Sequence, residues 1–216
     1  MVYAYDVMSV CRTLSSAMPR PKSLTPEALA AAALAVVDRD GLPALSMRAV
    51  AQELGMGTMS LYRYVREKTE LEALVVDLIL STVDVEPPEA PWLDQITALV
   101  GRVRQAVAAH PNAVVLTMTH RHRSPALSRW SESVLGVLAA NGFEGPRRVV
   151  ALRCLLGYLI GAVQLEHLGP LSGPGTAALA GKSEFPLLAE TARAASEVDD
   201  GFARGLEVVL RGLASR

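Results

Sequence analysis

The densest run of hydrogen-bonding side chains in the sequence is Thr58, Met59, Ser60, Leu61, Tyr62, Arg63 and Tyr64, with Arg66 and Lys68 close behind. Hydroxyls, phenols, guanidinium and ammonium groups all donate hydrogen bonds. Gathered on one short segment, they suit a partner rich in acceptors, such as phosphate oxygens and the edges of nucleobases. Residues 46–68 carry Arg48, Arg63, Arg66 and Lys68 against Glu53 and Glu67, a small local cationic excess in a chain whose net charge is −1. With no global basic field, such a contact rests on this patch alone.

Some element must hold these donors outward. Ser46 reads as the N-cap of a helix whose Met47, Val50, Ala51 and Leu54 form an inward stripe, and Gly55 is its stop. After Met56-Gly57 the spacing predicts a second short helix over Thr58–Val65. A helix of that length is marginal in water, so packing must stabilise it, with Leu54 and Leu61 forming the seam. Helix, glycine turn and short helix make a helix-turn-helix pattern. A helix with its N-terminus outward fits the major groove, and its free N–H groups favour phosphate.

Around this pair the punctuation is regular. Thr25, Pro26 and Glu27 open a helix that carries Leu29, Ala33, Val36 and Val37 on one face and stops at Gly41-Leu42-Pro43. From Lys68 a longer helix to about Val83 carries Leu71, Leu74, Val75, Leu78 and Ile79. The stretch "VEPPEAP", residues 85–91, is a proline-rich boundary. Helical patterns follow over about 92–109, 112–119, 124–141 and 146–168. A long Gly- and Pro-rich loop is expected over 169–184, then helices near 186–196 and 199–214.

Half of the 216 residues are hydrophobic and only 5% are aromatic, a composition for close-packed helices rather than sheets. The expected fold is all-α: an extended or disordered arm over 1–23, a helix-turn-helix domain over 24–84, and a larger helical domain over 92–216. Met18 is an alternative start. Cys11 and Cys154 form no framework spacing, and no run of 18 uncharged apolar residues reads as a membrane span. The opening residues lack a clean apolar core for a secretory signal, so the expected location is cytoplasmic.

The segment "LSMRAVAQELGMGTMSLYRYVREKTELEALV" resembles the DNA-binding segment of the tetracycline-repressor (TetR-like) family of bacterial transcriptional regulators, and the likeness extends over about residues 24–80. The resemblance implies a homodimer on a near-palindromic double-stranded operator, most often a repressor, released by a small effector bound in the carboxy-terminal domain. It implies that Ser46, Met47 and Arg48 lie at the start of the supporting helix, where backbone or bases are contacted. Thr58, Met59 and Ser60 fall at the base-reading end of the recognition helix. Tyr62 and Lys68 match phosphate-clamping positions, and Arg63 and Tyr64 complete the outer face; Tyr64 serves equally as a core aromatic. The arm at residues 19–22 is a further candidate, for the minor groove.

In the second domain the helix 146–168 is apolar around most of its circumference, which calls for burial on all sides. With the last helix it would form a four-helix interface between two subunits, with Leu152, Leu156, Leu159, Leu206 and Leu210 as candidate contacts. Polar groups set in apolar helices are candidates for the effector pocket: His120, Trp130, Tyr158 and Gln164 first, then His110, Asn112, Arg121 and Glu166. The effector expected is largely apolar with one or two hydrogen-bonding groups. The tetracycline-responsive branch of the family uses a pocket histidine to hold a drug–magnesium complex, and the register puts Thr117 there, with His120 one turn away. His120, His122, Glu166 and His167 match no strong zinc spacing, so no metal or cofactor is assigned. The sequence supplies no triad, phosphate loop or metal pair for an enzyme. A ligand-independent DNA-binding dimer is the other alternative.

Overall fold

The structure, a computed structural model, describes residues 24–168, 174–195 and 200–215. The arm over 1–23, the start of the expected loop (169–173) and the side chain of His167 lie outside the described residues. Thr25 accepts the Ala28 N–H on its hydroxyl at 3.2 Å, and Pro26 opens α1 (Pro26–Asp40). Gly41 ends α1 with φ of 81°, a conformation that costs a side-chain-bearing residue steric strain. Ser46 caps α2 (Met47–Glu53), and α3 follows over Thr58–Leu61. Then come α4 (Lys68–Ser81), α5 (Trp92–Ala108), α6 (Val114–His120), α7 (Pro125–Ala140) and α8 (Gly145–Leu168). The order closes with α9 (Pro174–Ala180), α10 (Pro186–Ala194) and α11 (Gly201–Ala214). Among the described residues there is no strand, and the all-α expectation holds.

The first four helices close around one apolar centre. Leu29, Ala33 and Val37 of α1, Val50 and Ala51 of α2, Leu61 of α3, and Leu71 and Val75 of α4 are each buried to 2% exposure or less. Burying a leucine of this kind contributes roughly 1.5–3 kcal/mol. The same α4 continues into the second half of the molecule, where Val76, Ile79 and Leu80 join a core with Leu99 and Val103 of α5 and Trp130 and Val134 of α7. One helix therefore carries a continuous core through both halves, although the coil over 82–91 separates the two parts of the chain.

Two expectations are corrected. The second helix of the pair is regular only over Thr58–Leu61, and Tyr62–Tyr64 continue as turns that end with Val65 N–H on Leu61 C=O at 3.2 Å. Buried Leu61 and Val65 pin this short segment at both ends, so packing substitutes for helical length. The expected 169–184 loop contains α9. Pro174 stands at a helix start, where proline is favoured, and the run Ala177–Ala180 has the propensity to continue it.

Candidate nucleic-acid interface and ligand cavity

The turn between α2 and α3 sets how the donors are presented. Gly55 has φ of 65°. Its N–H bonds Gln52 C=O at 3.0 Å, and Met56 N–H reaches back to Ala51 C=O at 2.9 Å. This paired closure satisfies the last carbonyls of α2 and reverses the chain within three residues. α3 then leaves with Leu61 inward and its other side chains outward. Met59 is 80% exposed, Tyr62 46% and Tyr64 44%, while Thr58 and Ser60 are half-buried and Arg63 is exposed. Tyr64 is thus a surface residue at the edge of the core, against Leu24, Pro26 and Leu29.

Ser46 and Arg48 are exposed, and the Ser46 hydroxyl accepts the Ala49 N–H at 3.1 Å. Met47 departs from the expected set: its side chain is buried among the α1–α4 core residues and offers nothing to a groove. The inward stripe to which it belongs claims it. Lys68, at the first turn of α4, is exposed, with Nζ 3.6 Å from a carboxylate oxygen of Glu72. The other oxygen of Glu72 lies 3.1 Å from His120 Nε2, on α6. His120, expected in a pocket, is instead a polar bridge between α6 and α4.

A second polar tie lies nearby. One oxygen of Asp77 on α4 accepts both Ser124 Oγ–H at 2.6 Å and Ala126 N–H at 3.0 Å, fixing the start of α7. At the far end of α1, Asn112 donates to the carbonyls of Val37 and Asp38, and His110 Nδ1 lies 2.9 Å from Asp38. These polar groups satisfy helix ends rather than a ligand.

A wholly apolar cavity of about 40 Å³ lies where α4 to α8 converge. Its walls include Leu80 of α4, Val103 of α5, Thr117 of α6, Leu127 of α7, and Leu156 and Ile160 of α8. Arg121 reaches its rim and donates to the Met118 carbonyl. Thr117 Oγ–H is engaged by Val114 C=O at 2.7 Å. Of the expected pocket residues, Trp130 is 1% exposed and donates its indole N–H to Leu99 C=O at 2.9 Å, a core role. Gln164 lies on the exposed side of α8.

Tyr158 packs at the edge of the core, its ring centroid 5.4 Å from that of Phe202, and does not line the cavity. It borders an open groove of about 640 Å³ between α5, α8 and the start of α11, with Arg104, Glu166 and Asp200. Its phenol donates to Phe202 C=O at 2.6 Å. Burial pushes the phenol pKa upward, and the neighbouring carboxylate of Glu166 adds to the rise.

The expected dimer contacts divide. Leu159, Leu206 and Leu210 are buried within the subunit at 6%, 0% and 3% exposure, so they cannot also meet a partner; Leu152 and Leu156 are half-buried. Exposed or half-buried small and apolar residues also lie on the other side of α8, where Val150, Cys154, Gly157, Gly161 and Leu165 recur at helical spacing, and on α11 at Val208. That spacing was available in the sequence. The cavity walls were not, because a leucine lining a cavity and one in a core have the same neighbours along the chain.

Comparison with known proteins follows this geometry closely. The family described as "Bacterial regulatory proteins, tetR family" matches residues 29–73, and "Tetracyclin repressor-like, C-terminal domain" matches residues 86–216. A curated HTH-type transcriptional regulator of Saccharopolyspora erythraea is 30% identical, covering 89% of this chain and 85% of that one. The class A tetracycline repressor of Escherichia coli is 28% identical over 89% of this chain and 92% of its own length. The crystal structure of ActR, a TetR family protein of Streptomyces coelicolor, in complex with (S)-DNPA superposes with a TM-score of 0.76 at 27% identity, covering 89% of this chain and 98% of that chain.

Proposed function

The chain belongs to the tetracycline-repressor family of DNA-binding transcriptional regulators, and from that premise we propose that it is a repressor, released from a near-palindromic operator when a small, largely apolar effector enters the cavity between α4 and α8. The observation that carries the reading is the course of α4. Its first residue, Lys68, is exposed beside the donor-rich α3 segment, and its last full turn puts Leu80 in the cavity wall.

In this reading Thr58, Met59 and Ser60 meet base edges in the major groove. Tyr62, Lys68 and Arg48 hold phosphates, which fix register without reading sequence. Two subunits would set their recognition helices about 34–36 Å apart, one turn of the duplex. A cavity of about 40 Å³ is far smaller than the roughly 300 Å³ and upward of most ligand sites. An effector can therefore enter only by parting the helices that line it, and α4 is one of them. Movement of α4 alters the spacing of the recognition helices, and the effector shifts the population away from the DNA-competent form. This coupling distinguishes the reading from a ligand-independent DNA-binding dimer.

The homodimer is part of the proposal. By length and apolar composition α8 could cross a bilayer, but Ala151, Leu155, Leu159 and Val163 pack it into the domain. The opposite stripe from Val150 to Leu165 has small residues at Gly157 and Gly161, which would let a second α8 approach closely, with Val208 and Gly212 of α11 alongside.

The experiment is a selection of duplexes from a random library by the full chain, followed by a compound screen read by melting temperature. An effector at about a hundredfold excess over Kd adds about 2.7 kcal/mol of stability. By linkage it must weaken operator binding by the factor by which the operator weakens its own binding. A stabilising compound that leaves operator affinity unchanged refutes the coupling for that compound. If no duplex is enriched, the reading of α3 fails.

A further inference from the structure

We propose that Arg123, which belongs to the cavity-bearing domain and not to the helix-turn-helix, is a further contact to the DNA backbone, its guanidinium holding a phosphate of the duplex that α3 engages. This rests on the reading above that α3 faces DNA. Arg123 ends a single 3₁₀ turn, Arg121–Arg123, between α6 and α7, and it is exposed. The turn is fixed in place on α4, because Asp77 binds the hydroxyl of the very next residue, Ser124, and the N–H of Ala126.

As a result Arg123 lines a groove of about 670 Å³ together with Tyr62, Arg63, Tyr64 and Arg66. Two acids share that groove, Glu67 and Glu70. Glu70 is already engaged, accepting the Arg66 N–H at 2.8 Å. The arginines elsewhere in the cavity-bearing domain are largely committed: Arg102 to Asp84, Arg104 to Glu166, Arg148 to the Phe143 carbonyl and Arg211 to Glu207. Arg123 has no such partner among the described residues, and neither do the side chains of Arg63 and Arg66. Three guanidiniums without an ion-pair partner outnumber the two carboxylates of the groove, which leaves it a net positive charge that a phosphate can meet. A duplex backbone supplies a charge about every 3.4 Å along each strand, so one strand can meet the α3 segment and Arg123 together.

The test is the salt dependence of duplex binding by the full chain, with a duplex selected from a random library and an unrelated duplex of equal length. Arg123→Ala should lower the slope of log K against log salt by about 0.9 per subunit and weaken both duplexes by the same factor. Arg123→Lys should restore the slope, and Lys182→Ala, which removes an exposed cation after α9, should leave it unchanged. An unaltered slope for Arg123→Ala beside a lowered slope for Lys68→Ala overturns the proposal while the DNA reading stands. Weaker binding with an unaltered slope assigns Arg123 a structural role and overturns it equally. If the wild-type chain binds no duplex in a salt-dependent way, both readings fall.

Discussion

Gly205 has a strict requirement at the scale of single residues. A Cβ built there would stand 2.4 Å from the phenol oxygen of Tyr158 and 2.9 Å from its ring, so the hydroxyl reaches Phe202 C=O only because position 205 carries no side chain. Gly205→Ala should cost about 1–3 kcal/mol of stability by overpacking. Combined with Tyr158→Phe it should cost less than the sum of the two single changes, a coupling that a double-mutant cycle of chemical denaturation measures. The same tyrosine gives a pH expectation. Its folded pKa lies above its ordinary 10.0, so its contribution is complete below that value and is lost as pH rises through the folded pKa. Tyr158→Phe should remove that alkaline loss. On the DNA-facing side, Lys68→Ala and Tyr62→Phe should weaken all sequences alike, whereas Thr58→Ala and Ser60→Ala should act at particular base pairs. The donors of α3 were legible in the sequence because their types are unusual for a short buried helix. Met47 was read two ways, inward by the apolar stripe of α2 and outward by family register, and its burial agrees with the stripe. Trp130 and Gln164 were misassigned because a polar atom in an apolar helix can as well satisfy a carbonyl or face water.

Among the elements, α4 joins the two halves through two carboxylates. Asp77 receives two donors from the start of α7, and Glu72 lies between Lys68 and His120. Asp77→Ala strands two partly buried donors and should cost about 1–3 kcal/mol. It should also leave effector affinity largely intact while blunting release from the operator, because motion of α6 and α7 would no longer be transmitted to α4. Titrating the effector against both the free protein and the DNA complex separates these effects. The helices themselves were readable, since caps and stops at Thr25, Gly41, Ser46 and Gly55 coincide with their ends. What the sequence concealed was the shortness of α3 and the presence of α9. In both places tertiary packing or a run of alanines outweighed the local signal that was read.

At the scale of the whole molecule, the exposed stripe of α8 can be tested without disturbing the subunit. Val208 is 72% exposed and Val150 55%, so Val208→Glu or Val150→Glu removes nothing from the core. Either change should give a folded monomer by sedimentation, whereas Leu206→Glu, at 0% exposure, should unfold the chain. A dimer that persists in both surface variants would move the interface elsewhere. The small size of the cavity has a kinetic consequence as well. If a space of about 40 Å³ must open before an effector fits, the speed of induction is set by how often α4 to α8 part, not by how often molecules collide. Observed binding rates should then climb with effector concentration to a plateau. Past that plateau a cell would gain completeness of response from more inducer, but no promptness.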